Sequence, residues 1–279
     1  MTAVPDPGPP PRSAALLDVL IPTFGRPGAL AVTLTGLAMQ TARPFRVVIS
    51  DQGRRPAAGW AGVRTALRVL ELHGCPVEVR RHLPRRGMAE QRQFLLEQGR
   101  APHVLFLDDD LILEPWVVGQ MLGVMERERC GFVGSAVIGL SYTGDVRPAQ
   151  QAVEFWEGPV TPEVVRPGTP AWERYTLHNA ANLLHVQQRL APSPAQTRLY
   201  KVAWVGGCVL YDRARLNAVG GFGFWRELPG EHAGEDVLAQ QRVMARFGGC
   251  GVMPSGVYHL ELPTTLPNRE VDAPRTLDL

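Results

Sequence analysis

The most constraining feature of this chain is an alternation through its first half, in which a compact apolar run is followed by apolar residues at helical spacing, four times over. Leu16 to Ile21, stopped by Pro22, reads as a buried strand. Beyond it Leu30, Leu34 and Leu37 recur on one helical face, with Pro27 suited to the first turn. Phe45 to Ile49 precedes a helical pattern over 61–72, and Val77 to Val79 precedes one over 88–98. His103 to Leu107 precedes a helix expected from Pro115 to about Arg129. Strands joined through helices pair in parallel, so the pattern predicts an α/β fold: a mostly parallel sheet with helices on both faces.

A chain of 279 residues can bury one large core, and a single domain over 14–262 is expected. A proline-rich lead, 1–13, has little to bury and is expected to be disordered; the polar tail 263–279 is expected to be loosely ordered. Residues 135–200 break the rhythm with prolines, aromatics and one amphipathic stretch from Trp172 to Leu190, as an insertion shaping a pocket would. A strand-like pattern resumes over 201–211 around Gly206-Gly207, followed by helices over 213–218 and 237–247 and short strands near Val252 and over 257–260. The net charge of +2 supplies no field for nucleic acid or an anionic surface. Four scattered cysteines make no Cys-x-x-Cys pair, which argues against a zinc or redox motif. No signal-like segment and no run of eighteen apolar residues is present, so a cytoplasmic protein is expected, with peripheral attachment to the inner face of the membrane still compatible.

The chemistry concentrates in Asp108-Asp109-Asp110, three carboxylates where a buried strand ends, at the sheet edge where open α/β folds bind ligands. Adjacent carboxylates repel, and a divalent cation is a common way to make such a cluster favourable. Alternation along an extended segment lets Asp108 and Asp110 share one ion while Asp109 points elsewhere. The plainer reading is a solvated acidic turn ahead of the next helix.

Ile21-Pro22-Thr23-Phe24-Gly25-Arg26, the strand ending at Asp51, the triple aspartate and Gly234-Glu235-Asp236 together resemble family 2 glycosyltransferases of the GT-A fold, over nearly the whole folded region. The resemblance implies a Rossmann-like sheet with 135–200 on the acceptor side, and an inverting, metal-dependent transfer of a sugar from a nucleotide diphosphate to a hydroxyl. It implies that Asp51 binds the base, with Thr23 and Arg26 on the neighbouring loop. Gly87, Arg92, Asp108, Asp109 and Gly207 match donor-side positions. Two departures stand out: Ser50-Asp51-Gln52-Gly53 replaces a pair of acids followed by Gly-Ser, and Glu90-Gln91-Arg92-Gln93 replaces Ala-Arg-Asn. Read without the family, Asp51 is a turn cap and Arg92 a solvated helix residue.

Asp236 matches the catalytic base and Glu235 the acceptor-holding acid, although an Asp ahead of Val237-Leu238 is also an ordinary helix cap. His259 matches a histidine that joins Asp108 and Asp110 around the cation, and an imidazole ligand favours Mn2+ over Mg2+. A surface histidine is the rival reading. Trp204 matches an aromatic that faces the acceptor, against a core tryptophan. Arg242 matches a phosphate-holding base, against an ion pair on its helix. His178 and His185 read as structural. The implied partners are a UDP-, GDP- or dTDP-sugar and a glycan, lipid-linked sugar or small-molecule acceptor. Two other functions compete: a sugar nucleotidyltransferase, which would want a glycine-rich basic loop after the first strand, and a non-catalytic nucleotide-sugar-binding protein on the same fold.

Overall fold

The computed structural model describes residues 16–266 and 268–279; the lead 1–13 lies outside the described residues. The alternation gives β1 (Leu17–Thr23), α1 (Pro27–Ala38), β2 (Arg46–Asp51), α2 (Ala61–Leu72), β3 (Val77–Arg81), α3 (Met88–Gln98) and β4 (His103–Leu107). Then follow β5 (Leu111–Leu113), α4 (Val117–Glu128), β6 (Phe132–Gly134), α5 (Asn182–Leu190), β7 (Arg198–Tyr200), β8 (Cys208–Asp212) and α6 (Arg213–Ala218). The chain closes with α7 (Glu235–Phe247), β9 (Gly249–Met253), β10 (Val257–His259) and α8 (Ala273–Thr276).

Eight strands form one sheet in the order β3-β2-β1-β4-β8-β6-β9-β7. Only β8 and β7 run against the others, so the sheet is mostly parallel. Alternate side chains of β1 go to opposite faces: Val19 and Ile21 pack with Leu30, Leu34 and Val118 under α1, α2 and α4, whereas Leu20 packs with Leu96, Phe106 and Leu238 under α3 and α7. Both faces are covered, which is why the parallel strands read as unbroken apolar runs.

Three elements were not visible in the sequence pattern. β6 lies between β8 and β9 but has only three residues and ends in Gly134. β5 leaves the triple aspartate directly and pairs antiparallel with β10, so Leu111 faces His259. β7 closes the far edge. The amphipathic stretch from Trp172 to Leu190 is also not one helix: a 3-10 helix covers Pro170–His178, the chain turns at Ala180 with φ 49°, and α5 follows. Its apolar residues Trp172, Leu177, Leu183 and Val186 are buried on the α3–α7 face.

The tail is better anchored than its composition suggests. Ala233 and Ala273 exchange backbone bonds with the opposing segment, Ala233 N–H donating to Val271 O and Ala273 N–H to Ala233 O, both at 2.9 Å. Ala273 is fully buried, and Arg242 donates to the backbone oxygen of Asp278 at 2.6 Å. Arg242 is therefore a clamp on the tail, not a phosphate ligand.

Candidate active site

The carboxyl ends of β1 and β4 and the start of α7 surround one open chamber of about 740 Å³. Asp108, Asp109, Asp110 and His259 line it together with Glu235 and Asp236, and Leu262, Thr264, Leu266, Arg269 and Asp272 of the tail complete the lining. Acids more than a hundred positions apart in the chain thus open onto the same space.

The triple aspartate is balanced chiefly by the protein's own cations. Thr23 Oγ1 donates to Asp109 at 2.5 Å, and the Arg26 guanidinium forks across Asp109 and Asp110, its Nη1 lying 2.7 Å from Asp110 Oδ2. Arg26 thus engages two acids while lining the chamber. Burial pushes the Asp109 carboxyl up to about 6, against Thr23 and Arg26, which favour its charged form. Burial acts the same way on Asp110, but His259 and Arg26 outweigh it and hold that carboxyl below its ordinary value.

His259 Nε2 lies 3.4 Å from the same Asp110 Oδ2, and the Asp110 carboxylate raises the imidazole above its ordinary value. Its Nδ1 accepts from the Glu261 N–H at 2.9 Å, so Nε2 carries the ring proton. The β5–β10 pairing makes this juxtaposition, with Leu260 N–H donating to Asp110 O at 2.9 Å. Among the described residues no group of three His, Cys, Asp or Glu side chains converges to hold an ion. Of Asp108, Asp110 and His259, which line the same chamber, the last two are in direct contact. Asp108 turns instead to Arg92, at 3.1 Å, and its backbone N–H donates to Gly207 O at 2.8 Å. Gly207 has φ 75°, and a Cβ there would come within 2.7 Å of Val137. Its role is to hold Asp108 by close backbone approach.

Arg92 is buried, not solvated. It joins Asp108 to Glu235, with Nε 3.0 Å from Glu235 Oε1, and these acids overcome the burial cost and keep the guanidinium firmly charged. Its fork ties α3 to the start of α7 at the chamber's lining. Gly234, with φ 76°, caps α7, which places Glu235 and Asp236 in the first turn, where the helix dipole favours carboxylates. Asp236 is not the cap; its Oδ1 accepts from the next N–H, Val237, at 2.9 Å. Glu235 has Arg92 as its partner, whereas Asp236 has no cation bound to it among the described residues. Burial first, then the neighbouring Glu235 charge, pushes the Asp236 carboxyl up to about 7, against the opposing pull of Arg92.

Two residues expected on the donor side are engaged within the protein. Asp51 is fully buried, its carboxylate taken by the N–H groups of Gly53 and Ala57, each at 2.8 Å, and by Arg81 at 3.1 Å. It shapes its own loop and does not line the chamber. Gly87, with φ 110°, touches His232: a Cβ would lie 2.5 Å from that ring. His232 was missed in the sequence; it accepts from Ala89 N–H at 3.1 Å and meets Pro229 O at 2.7 Å, fastening the start of α3 to the segment before α7. A lone histidine outside any motif carries no signal for such a role.

Trp204 touches the chamber, but its ring is held between Trp172 and stacked Tyr175, with centroids 4.8 and 5.3 Å away. It also lines a second, smaller cavity of about 310 Å³ with Tyr175, Asn179 and Gly207, which meets the first at Asp108 and His259. His178 Nε2 lies 2.9 Å from Tyr200 Oη, and burial drives its imidazole down to about 4, so it is a neutral packed histidine. His185 lies 2.9 Å from Thr143 O.

The chain matches the model of glycosyl transferase family 2 over residues 18–183, more than half its length. It belongs to that family. The matched segment includes the triple aspartate, while Glu235, Asp236 and His259 lie beyond it. A curated relative, an uncharacterized glycosyltransferase from Haemophilus influenzae, is 27% identical over 112 residues, 40% of this chain and 35% of the relative. Among solved structures, TarS 1-349 of S. aureus in complex with UDP-GlcNAc superposes with TM-score 0.55 at 14% identity, covering 90% of this chain and 60% of that one. Mannosyltransferase PcManGT from Pyrobaculum calidifontis, in complex with GDP-Man and Mn2+, gives 0.54 at 14%, covering 91% and 59%. The likeness to these structures establishes the GT-A type of fold, and the chain spans about a third of the curated relative and at most three fifths of these solved chains. Among the described residues no helix is long and apolar enough to cross a membrane.

Proposed function

We propose that the protein is an inverting, divalent-cation-dependent glycosyltransferase that moves a sugar from a nucleotide diphosphate donor to a hydroxyl of a glycan, lipid-linked sugar or small molecule. The observation that carries this reading is Asp236, an acid without a bound cation, pushed up to about 7 and lining the same chamber as Asp110 and His259. A carboxylate so tuned is matched to take a proton from an acceptor hydroxyl near neutral pH. Glu235, fixed by Arg92, holds the rim of the acceptor position, and Trp204 offers its ring edge to the sugar.

Asp110 Oδ2 and His259 Nε2 are an oxygen and nitrogen pair that suits a cation, the imidazole favouring Mn2+ over Mg2+. When bound, the cation neutralises the leaving diphosphate, so no protonated acid is needed on that side. Asp110 and His259 would hold it in place of the Arg26 contact, with the imidazole deprotonated at Nε2, and Arg26 would then be free to meet phosphate. Uridine, thymidine and guanosine diphosphate sugars are the donors to try, in keeping with the UDP-GlcNAc and GDP-Man bound by the similar structures. A cytoplasmic location, at the inner membrane face if the acceptor is lipid-linked, fits such donors.

The test is a product assay with a panel of such donors and Mn2+. A nucleoside diphosphate and a transferred or hydrolysed sugar of inverted anomeric configuration is expected. Release of pyrophosphate would assign nucleotidyl transfer instead, and binding without turnover would leave a nucleotide-sugar-binding protein.

A further inference from the structure

We infer that the segments 52–60 and 80–86 form a docking surface for an anionic membrane, at the same edge of the sheet as the mouth of the chamber. The inference goes beyond the transferase reading and does not need turnover to hold.

The whole-chain charge of +2 averages over a local excess. Arg54 and Arg55 in the first segment and Arg80, Arg81, Arg85 and Arg86 in the second are accompanied by no Asp or Glu. β2 and β3 run parallel to β1, so both segments leave the sheet at its carboxyl edge. They also meet: His82 N–H donates to Asp51 O at 3.2 Å, and Gly53 and Arg54 line one shallow groove with Leu83, Pro84 and Arg85. Ion pairs take up Arg80 with Glu78 and Arg81 with Asp51. Arg54, Arg55, Arg85 and Arg86 are exposed and have no ion-pair partner among the described residues; Glu231 is the acid whose charge reaches Arg85. Arg55 and Arg86 line neither the chamber nor the groove, so a site for a nucleotide sugar does not account for them.

Charge alone would suit any polyanion, and the apolar groups decide which. Leu83 and Trp60 are 56% and 52% exposed, the first between Arg81 and Arg85 in the chain, the second closing the Arg54 segment where α2 begins. A leucine left in water gains by entering acyl chains, and a tryptophan suits the headgroup level. A single-stranded nucleic acid could stack on Trp60 but gives Leu83 nothing to enter, so lipid is the partner that uses both. Each arginine within reach of an anionic lipid surface strengthens binding by about fivefold. Salt screens that attraction. Docked this way, the chamber mouth faces the bilayer, which fits the lipid-linked class among the acceptors above.

The test is sedimentation of the full chain with vesicles of phosphatidylcholine alone and of equal parts phosphatidylcholine and phosphatidylglycerol, at low and high salt. Binding to the anionic vesicles alone is expected, weakening as salt rises. The double variant Arg55→Gln/Arg86→Gln should bind them about 25-fold more weakly, two arginines at about fivefold each. Leu83→Ser should weaken binding by about tenfold, at low and high salt alike. Arg127→Gln/Arg129→Gln removes the same charge from exposed positions at the end of α4, on the opposite edge of the sheet, and should bind as the wild type does. Equal binding to both kinds of vesicle, binding to neither, or an equal loss in the α4 pair would overturn the inference. Tighter binding to a single-stranded RNA oligonucleotide than to the anionic vesicles would give the surface to nucleic acid and overturn it too. Vesicle binding needs no turnover, so each of these outcomes leaves the transferase reading to its own product assay.

Discussion

The two acidic walls of the chamber are balanced in opposite ways. On the Asp108–Asp110 side, Arg26, Thr23, His259 and Arg92 together engage every carboxylate. On the α7 side, Arg92 takes Glu235 and leaves Asp236 without a cation. The difference separates roles: a wall already in ion pairs can exchange one cation for another, whereas a part-buried acid without an ion-pair partner is held near the point where it gives and takes protons.

Removing that asymmetry should have the largest effect. Asp236→Asn keeps the shape of the wall but cannot accept a proton, so turnover should fall by about 10²–10⁴ while affinity for a nucleoside diphosphate stays within about twofold. Normal turnover in this variant would sink the base assignment. The same carboxyl sets the pH profile. Because the base works deprotonated and its value is raised to about 7, kcat/KM should fall below about pH 7 with unit slope and level off above it. A profile flat from pH 5.5 to 8 would contradict this.

The asymmetry can be sharpened through the two groups that tune Asp236. Glu235 raises its carboxyl and Arg92 lowers it, so Glu235→Gln should move the acid limb of the profile down and Arg92→Gln should move it up. Arg92→Gln also strands two acids, one buried, and should cost about 3–5 kcal/mol of stability, read as a lowered urea midpoint. Shifts in the same direction for both variants would show that packing, not charge, moves Asp236.

How far the sequence foretold this site depends on where each contact is made. The β1-to-β4 half was legible because its strands are buried on both faces and its helices show apolar spacing; the same pattern places Asp108 to Asp110 at the sheet edge. β5, β6 and β7 were not legible, since three residues show no period and their pairing partners are distant in sequence. Arg92 and Arg26 were found as residues but not as ion-pair partners, because a charge in a helix or loop does not announce what it will meet across a chamber. Asp51 is held by local contacts that its sequence position did not show: the turn over 53–57 bends back so that its N–H groups fill the carboxylate. The tail's place as a wall of the chamber follows from packing of Ala273 and the backbone pairing of Ala233, which composition does not encode.

The smallest expected effect concerns the balanced wall. Arg26 Nη1 and His259 Nε2 meet the same oxygen, Asp110 Oδ2. A cation bound there competes with the guanidinium, so Arg26 must release Asp110 while Thr23 still serves Asp109. Arg26→Gln removes the competitor and leaves more uncompensated negative charge at the wall. Mn2+ should then bind more tightly to the nucleotide-free protein, by about three- to tenfold for a part-exposed ion pair worth about 1 kcal/mol, as titration followed by electron paramagnetic resonance would measure. Donor affinity at saturating Mn2+ should move the other way if the released guanidinium turns to phosphate. Weaker Mn2+ binding in Arg26→Gln would mean that the guanidinium organises the cation site instead of guarding it, and the contrast between the two walls would then be one of degree only.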